Sequence, residues 1–315
     1  MKLSSPLRRA LYGLLGDTPL IYVDCGARAG RIPKPFRMLR NTQYIGIDAD
    51  PNECVRLNES ARPGHRYLPA VLGSRRERRT FHVTRNPACS SLLRPDQAFM
   101  NQFARIADDF VVERQFDVDT VPLDACLAAN DVGHVDVLEL DTQGSELEVL
   151  TGAENLLHEH VIGVQVEVEF SPMYVGQPLF ADVDGFLRAH GFQLYDLSRY
   201  RVRRAAVDAA VATRGQLLWG HALYLRDPRR ALPGALSARL AAVAALFDLP
   251  DLAVQVLDRL LTDAADTSLH KAAVRAREAI LAGAAPRRLQ GILEQVARLC
   301  GRSTRLGKGV PVWRD

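Results

Sequence analysis

The stretch Leu20-Ile-Tyr-Val-Asp24-Cys-Gly26-Ala-Arg28-Ala-Gly30 decides how the chain is read. Leu20 to Val23 is a short apolar run that suits a buried strand. It ends in Asp24 and a turn with two glycines, where a ligand can approach the backbone closely. A dinucleotide fingerprint asks for GxGxxG, which seats a diphosphate on a helix N-terminus. Here the pattern is DxGxxxG, with Arg28 inside it and Pro33 soon after. The loop suits a nucleoside ligand without that seat and disfavours an NAD-dependent oxidoreductase. An ordinary tight turn of an α/β domain is the alternative reading of this loop taken alone.

Working outward, Tyr44 to Ile47 repeats the pattern and ends in Asp48, about twenty residues past the loop. An acidic side chain there can accept hydrogen bonds from ribose hydroxyls. The competing role, capping the helix that opens at Pro51, is already supplied by Asp50. Further strands are expected at Tyr67 to Leu72, Thr80 to Thr84, Val135 to Leu140, Val161 to Phe170, Phe192 to Leu197 and Gln216 to Leu225. Helices are expected after Asp50, at Asp124 to Ala129 and at Glu146 to Leu157. Pro87 to Asp117 reads as a loop-rich insertion beside the site. Strands alternating with helices at this spacing predict an α/β, doubly wound, mostly parallel sheet of the Rossmann-like kind.

Two acidic groups follow. Asp141 ends the Val135 to Leu140 strand and should point into the same crevice as the first loop. Glu146 and Glu148 fall in the first helical turns, where capping and solvation account for them. In Val164 to Glu169, alternation puts the valines on one face and Gln165, Glu167 and Glu169 on the other. Glu167 and Glu169 can position a hydroxyl, act as a base or, with Asp141, hold a divalent cation such as Mg²⁺. They can also simply face solvent or pair with arginine.

Beyond Ala231 the chain is rich in Ala, Leu and Arg, and helices are expected near 236–247, 252–262, 268–282 and 289–300. The predicted organisation is a lead-in helix over 1–19, a main domain over 20–228, a C-terminal α-helical appendage over 229–302 and a flexible tail over 303–315. The appendage can dimerise the protein, cover the acceptor or stabilise the core. The formal charge of +3 is near balance and points to no nucleic-acid partner. Basic residues are almost all arginine. Five scattered cysteines without CxxC spacing suggest reduced thiols and a cytoplasmic protein. The apolar N-terminal run, broken by Arg8 and Arg9, is too short for a membrane span.

Taken together, VDCGARAG, GIDADP, AVLGS with the later Ser90-Ser91-Leu92, LELDTQGSELEVLTGA, VEVEFSPMYVGQPLF, GFQLYDLSR and LLWGHALYLRD resemble the FkbM-type methyltransferases, over roughly Leu20 to Asp227. The block from Leu138 to Ala153 is the most specific of these. The resemblance implies a seven-stranded sheet with its last strand antiparallel. It also implies an S-adenosylmethionine-dependent O-methyltransferase acting on a hydroxyl of a sugar or secondary metabolite. It places Asp24, Gly26 and Gly30 along the methionine part of the cofactor, Asp48 on the ribose and Asp141 near the transferred methyl. Ala27, Arg28, Ala49 and Ser91 complete the cofactor set. Asp141, Glu167 and His221 are the candidate bases, and His221 can equally be a metal ligand or structural. Three positions depart from the family: Arg28 stands where Asn is usual, Glu139 where Lys is frequent, and His221 where an aspartate is common. A scaffold that keeps the fold but not the chemistry is the rival reading.

Overall fold

The computed structural model describes residues 4–28, 32–39, 41–206, 211–263 and 268–283. Gly30 of the first loop, the expected helix over 289–300 and the tail over 303–315 lie outside the described residues.

The strands are β1 (Leu20–Cys25), β2 (Thr42–Asp48), β3 (His65–Pro69), β4 (Val71–Leu72), β5 (Arg78–Thr84), β6 (Val112–Val121), β7 (Val137–Leu140), β8 (Gly163–Glu169), β9 (Phe192–Leu197), β10 (Tyr200–Val202) and β11 (Gln216–Arg226). The helices are α1 (Ser5–Leu15), α2 (Lys34–Arg37), α3 (Pro51–Glu59), α4 (Gln97–Met100), α5 (Leu123–Ala128), α6 (Glu146–Thr151), α7 (Glu154–Glu159), α8 (Phe180–Ala189), α9 (Gly234–Leu246), α10 (Pro250–Asp263) and α11 (Ser268–Gly283).

The main sheet runs β10-β11-β8-β7-β1-β2-β3, with β9 also on β11. From β3 to β8 all neighbours are parallel, and β11 runs antiparallel to β8. This is the expected α/β sheet with a reversed late strand, widened to eight strands because β9 and the short β10 both pair with β11. Alternation makes the sheet two-faced. Ile21, Val23, Cys25, Ile45, Ile47, Leu138, Leu140, Val164, Val166 and Val168 join one buried core. Asp24, Asp48, Glu139, Glu167 and Glu169 fall on the opposite face, and in register Asp24 lies beside Glu139 and Glu139 beside Gln165. The acidic residues therefore collect on one side of the carboxyl edge.

A second sheet, β4-β6-β5, departs from expectation. The single run Tyr67 to Leu72 divides at Ala70: β3 stays in the main sheet, while β4 pairs with Thr120 and Val121 of β6. β6 itself falls in and just beyond the segment read as loop. Its partner β5 is antiparallel, with Phe81 opposite Phe116 and Val83 opposite Arg114. The helix expected over Glu146 to Leu157 is two, α6 and α7. The Gly152 carbonyl accepts the Asp124 amide at 2.9 Å, which takes it out of a continuing helical ladder.

The chain clusters into two compact units, Leu20–Ile32 with Thr42–Asp227, and Met1–Pro19 with Pro33–Asn41 and Pro228–Asp315. Among the described residues, the regular elements of the second unit are helices. In it α1 lies against α9 and α11, and α10 lies against both of those helices. Leu7, Leu11, Leu14 and Leu15 of α1 are buried, as is Phe36, whose ring meets Phe247 edge-on at 5.0 Å. Among the described residues no helix is long and apolar enough to cross a membrane.

Candidate active site

The loop after β1 is fixed by backbone. The amides of Gly26 and Ala27 donate to the Ile47 carbonyl at 2.8 and 3.1 Å, and the Asp141 amide donates to Cys25 at 2.9 Å. These bonds bring the ends of β1, β2 and β7 together. Gly26 has φ +99°, and a Cβ there would lie 2.0 Å from the Asp141 carbonyl oxygen. No side chain fits between the two loops.

The three strand ends open into a cleft of about 420 Å³. Gly26, Arg28, Asp48, Ala49 and Asp141 of the expected set line it. Asp48 accepts the Asp50 amide at 2.8 Å, while Asp50 caps α3 by accepting the amides of Asn52 and Glu53. Asp48 is thus not spent on capping. Burial raises its carboxyl above the usual range, and Arg28 partly offsets this. Arg28 also pairs with Asp50 at 3.8 Å.

Other expected residues sit elsewhere. Asp24 is buried and accepts the Tyr44 hydroxyl. Burial pushes it up to about 7 against the lowering effect of that bond, with Asp141 and Asp48 adding repulsion. Neither Asp24 nor the buried Ala27 is part of the cleft lining. Ser91 is a correction as a ligand contact: its hydroxyl donates to the Gln143 carbonyl at 2.8 Å and accepts the Leu93 amide at 2.9 Å. Its neighbour Ser90 lines the cleft instead.

The turn after β7 organises the acids. Gln143 has φ +57° and Gly144 +99°. Glu146, buried at the start of α6, accepts the Thr142 amide at 2.7 Å, the Thr142 hydroxyl at 3.1 Å and the Gly144 amide at 3.1 Å. Gln143 donates one amide to both Asp141 (2.6 Å) and Glu167 (2.7 Å), and its oxygen accepts the Tyr174 hydroxyl at 2.9 Å. Gln143 and Tyr174 were not read from the sequence as site residues. The sequence signal for Gln143 was its place between Asp141 and Gly144 in the most specific block.

The cation set expected from the sequence, Asp141 with Glu167 and Glu169, also needs correction. The oxygens that come within 4.8 Å of one another belong to Glu146, Glu167 and Glu169. Asp141 is held by Gln143 instead. Three buried carboxyl groups this close keep protons in preference to charge. Burial, reinforced by neighbouring carboxylates, raises Glu146 to about 7 and holds Glu167 and Glu169 well above the usual range.

His221 pairs in register with Glu167 across β8 and β11. Its ring stands edge-on to Tyr200 at 5.7 Å, and Tyr200 stacks on Trp219 at 5.4 Å. Burial lowers the imidazole below its ordinary value, opposed by Asp141. Glu167, Glu169 and His221 all stand outside the cleft lining. Glu139, where a lysine was the family's habit, accepts the Tyr22 hydroxyl at 2.6 Å and is held well above the usual carboxyl range, first by burial.

A family model described as "Methyltransferase FkbM domain" matches residues 24–194, just over half of the chain. The chain belongs to the FkbM methyltransferase family. Solved structures that resemble it include the methyltransferase FkbM of Methylobacillus flagellatus KT, at 14% identity and a TM-score of 0.36, covering 66% of this chain and 44% of that one. The chain thus spans less than half the length of the Methylobacillus protein. The precorrin-6y C5,15-methyltransferase of Geobacter metallireducens GS-15 resembles it at 9% identity and a TM-score of 0.35, covering 70% and 87%. TrmK of M. capricolum, in complex with S-adenosylhomocysteine, does so at 7% identity and a TM-score of 0.31, covering 89% and 98%. No curated protein matches. At these identities the FkbM assignment rests on the family match.

Proposed function

We propose that this FkbM-family protein is an S-adenosylmethionine-dependent O-methyltransferase that uses Asp141 to take the proton from an acceptor hydroxyl of a sugar or secondary metabolite. The observation that carries this reading is the shared cleft: Gly26, Asp48 and Asp141, from three different strand ends, line one cavity. The donor set fits the cofactor. Asp48 is a buried carboxylate not spent on capping and suits ribose hydroxyls, and Gly26, Arg28 and Ala49 would flank it. S-adenosylmethionine supplies an electrophilic methyl on a good leaving group.

The chain's own work is then positioning and proton removal. Of the three candidate bases, Asp141 lines the cleft, whereas Glu167 and His221 do not. Gln143 fixes the Asp141 carboxylate through a 2.6 Å bond. Glu167 shares the same amide, and burial holds its carboxyl well above the usual range. His221 pairs in register with Glu167, and burial lowers its imidazole below the ordinary value.

Asp141→Asn keeps the shape and the Gln143 neighbour but removes the base. Methyl transfer from labelled cofactor should fall by about 10²–10⁴-fold, while calorimetry shows S-adenosylhomocysteine still bound. Undiminished transfer would sink the assignment. A scaffold without chemistry is separated by the wild-type chain, which should bind the cofactor and turn it over.

A further inference from the structure

The β5–β6 hairpin carries a feature that cofactor binding does not use. Alternation puts Phe81, Val83, Arg114 and Phe116 on one face, and all four line the cleft. Phe81 and Phe116 face each other across the strands at 6.0 Å. The Arg114 guanidinium lies 5.6 Å over the Phe116 ring. Phe116 is nevertheless 45% exposed.

The arginines of the two strands differ in their charge pairing. Arg78 pairs with Asp117 at 3.4 Å on the outward face, and Arg79, on the same face as Phe81, meets Glu148 at 3.0 Å. Beyond the end of β5, Arg85 pairs with Glu113 at 3.2 Å. Among the described residues Arg114 has no carboxylate partner. An aromatic pair topped by an unpaired guanidinium suits a flat ring that carries an anionic group. The main-sheet strand ends form the wall assigned above to the methyl donor. The hairpin belongs to the second sheet and supplies a different wall of the same cavity. In-line transfer requires both reactants in that enclosure.

We infer that the Phe81–Phe116–Arg114 wall is the acceptor subsite, and that the acceptor bears a flat ring and a phosphate or carboxylate near the methylated hydroxyl. The inference rests on the donor-cleft reading above, and its test separates the two. Calorimetry on the full chain loaded with S-adenosylhomocysteine would use uridine 5′-monophosphate, orotate and uridine as probes. They represent ring with phosphate, ring with carboxylate and ring alone. An anionic probe should bind about tenfold more tightly than uridine, and the stronger of the two anions identifies the group.

Arg114→Gln should erase that difference, and Phe116→Ala should weaken all three probes. Both positions are exposed, and circular dichroism checks that the variants fold. Absence of probe binding, equal affinity for charged and neutral probes, or an unchanged preference in Arg114→Gln overturns the inference. Weaker S-adenosylhomocysteine binding in either variant also overturns it, by giving the wall to the cofactor's purine. Failure of the wild-type chain to bind S-adenosylhomocysteine instead strikes the donor-cleft reading.

Discussion

Asp24 shows how a single buried carboxyl writes itself into the stability of the domain. Its pKa is about 7 in the fold, raised first by burial, against roughly 3.9 in an unfolded chain. Between those values the folded state binds the extra proton, so stability falls as pH rises from about 4 to 7 and the loss is complete above that window. Glu146, also raised to about 7, acts in the same direction. The thermal midpoint of the wild type should therefore drop between pH 5 and pH 8, by a few degrees at roughly 2–4 °C per kcal/mol for a domain of this size. Asp24→Asn keeps an acceptor for the Tyr44 hydroxyl and has no proton to lose. Its midpoint should decline less over the same range. A slope identical to wild type would show that Asp24 is not buried in this way.

At the scale of elements, the turn from Asp141 into α6 does most to build the site. Glu146 closes it by accepting two backbone amides and a hydroxyl. Glu146→Ala leaves the Thr142 and Gly144 amides without that acceptor and should lower stability by about 2–3 kcal/mol in urea unfolding. It should also loosen Gln143 and so reduce turnover more than cofactor affinity. Glu146→Gln, which retains one oxygen, should recover part of both losses; equal damage in the two variants would argue against the capping role. The ends of β1, β2 and β7 were legible in the sequence because each is an apolar run terminated by an aspartate. The part played by Glu146 was not, because it depends on Gln143 adopting a left-handed conformation rare outside glycine. Only that turn brings Glu146 beside β8. Of the β5–β6 pair, β5 was expected at Thr80 to Thr84, but its partner β6 was hidden for another reason. A long connection separates the two strands, so no short turn announces the pair, and β6 is mostly exposed. Ser90 lines the cleft while the neighbouring Ser91 hydroxyl donates to the Gln143 carbonyl, a one-residue difference that no periodicity announces within a loop.

At the scale of the whole chain, the residues of the proposed donor and acceptor sites all belong to the unit formed by Leu20–Ile32 and Thr42–Asp227. The N-terminal helix, which reads from sequence as a lead-in, groups instead with the helices after Pro228. A chain ending at Asp227 would keep α1 but lose α9 and α11, the helices it packs on. Leu7, Leu11, Leu14 and Leu15 would then meet water, at about 1.5–3 kcal/mol for each side chain that was fully buried. Phe36 loses Phe247 in the same cut. An exposed apolar patch of this kind drives association. The truncated chain should therefore aggregate at ambient temperature and be cleaved rapidly by protease within residues 4–19. Any fraction held monomeric in the cold should bind S-adenosylhomocysteine with the wild-type dissociation constant, because its cleft is complete. A soluble, protease-resistant truncation with the full-length midpoint would mean that α1 does not depend on the later helices. A stable truncation with no cofactor binding would instead place part of the donor site beyond Asp227.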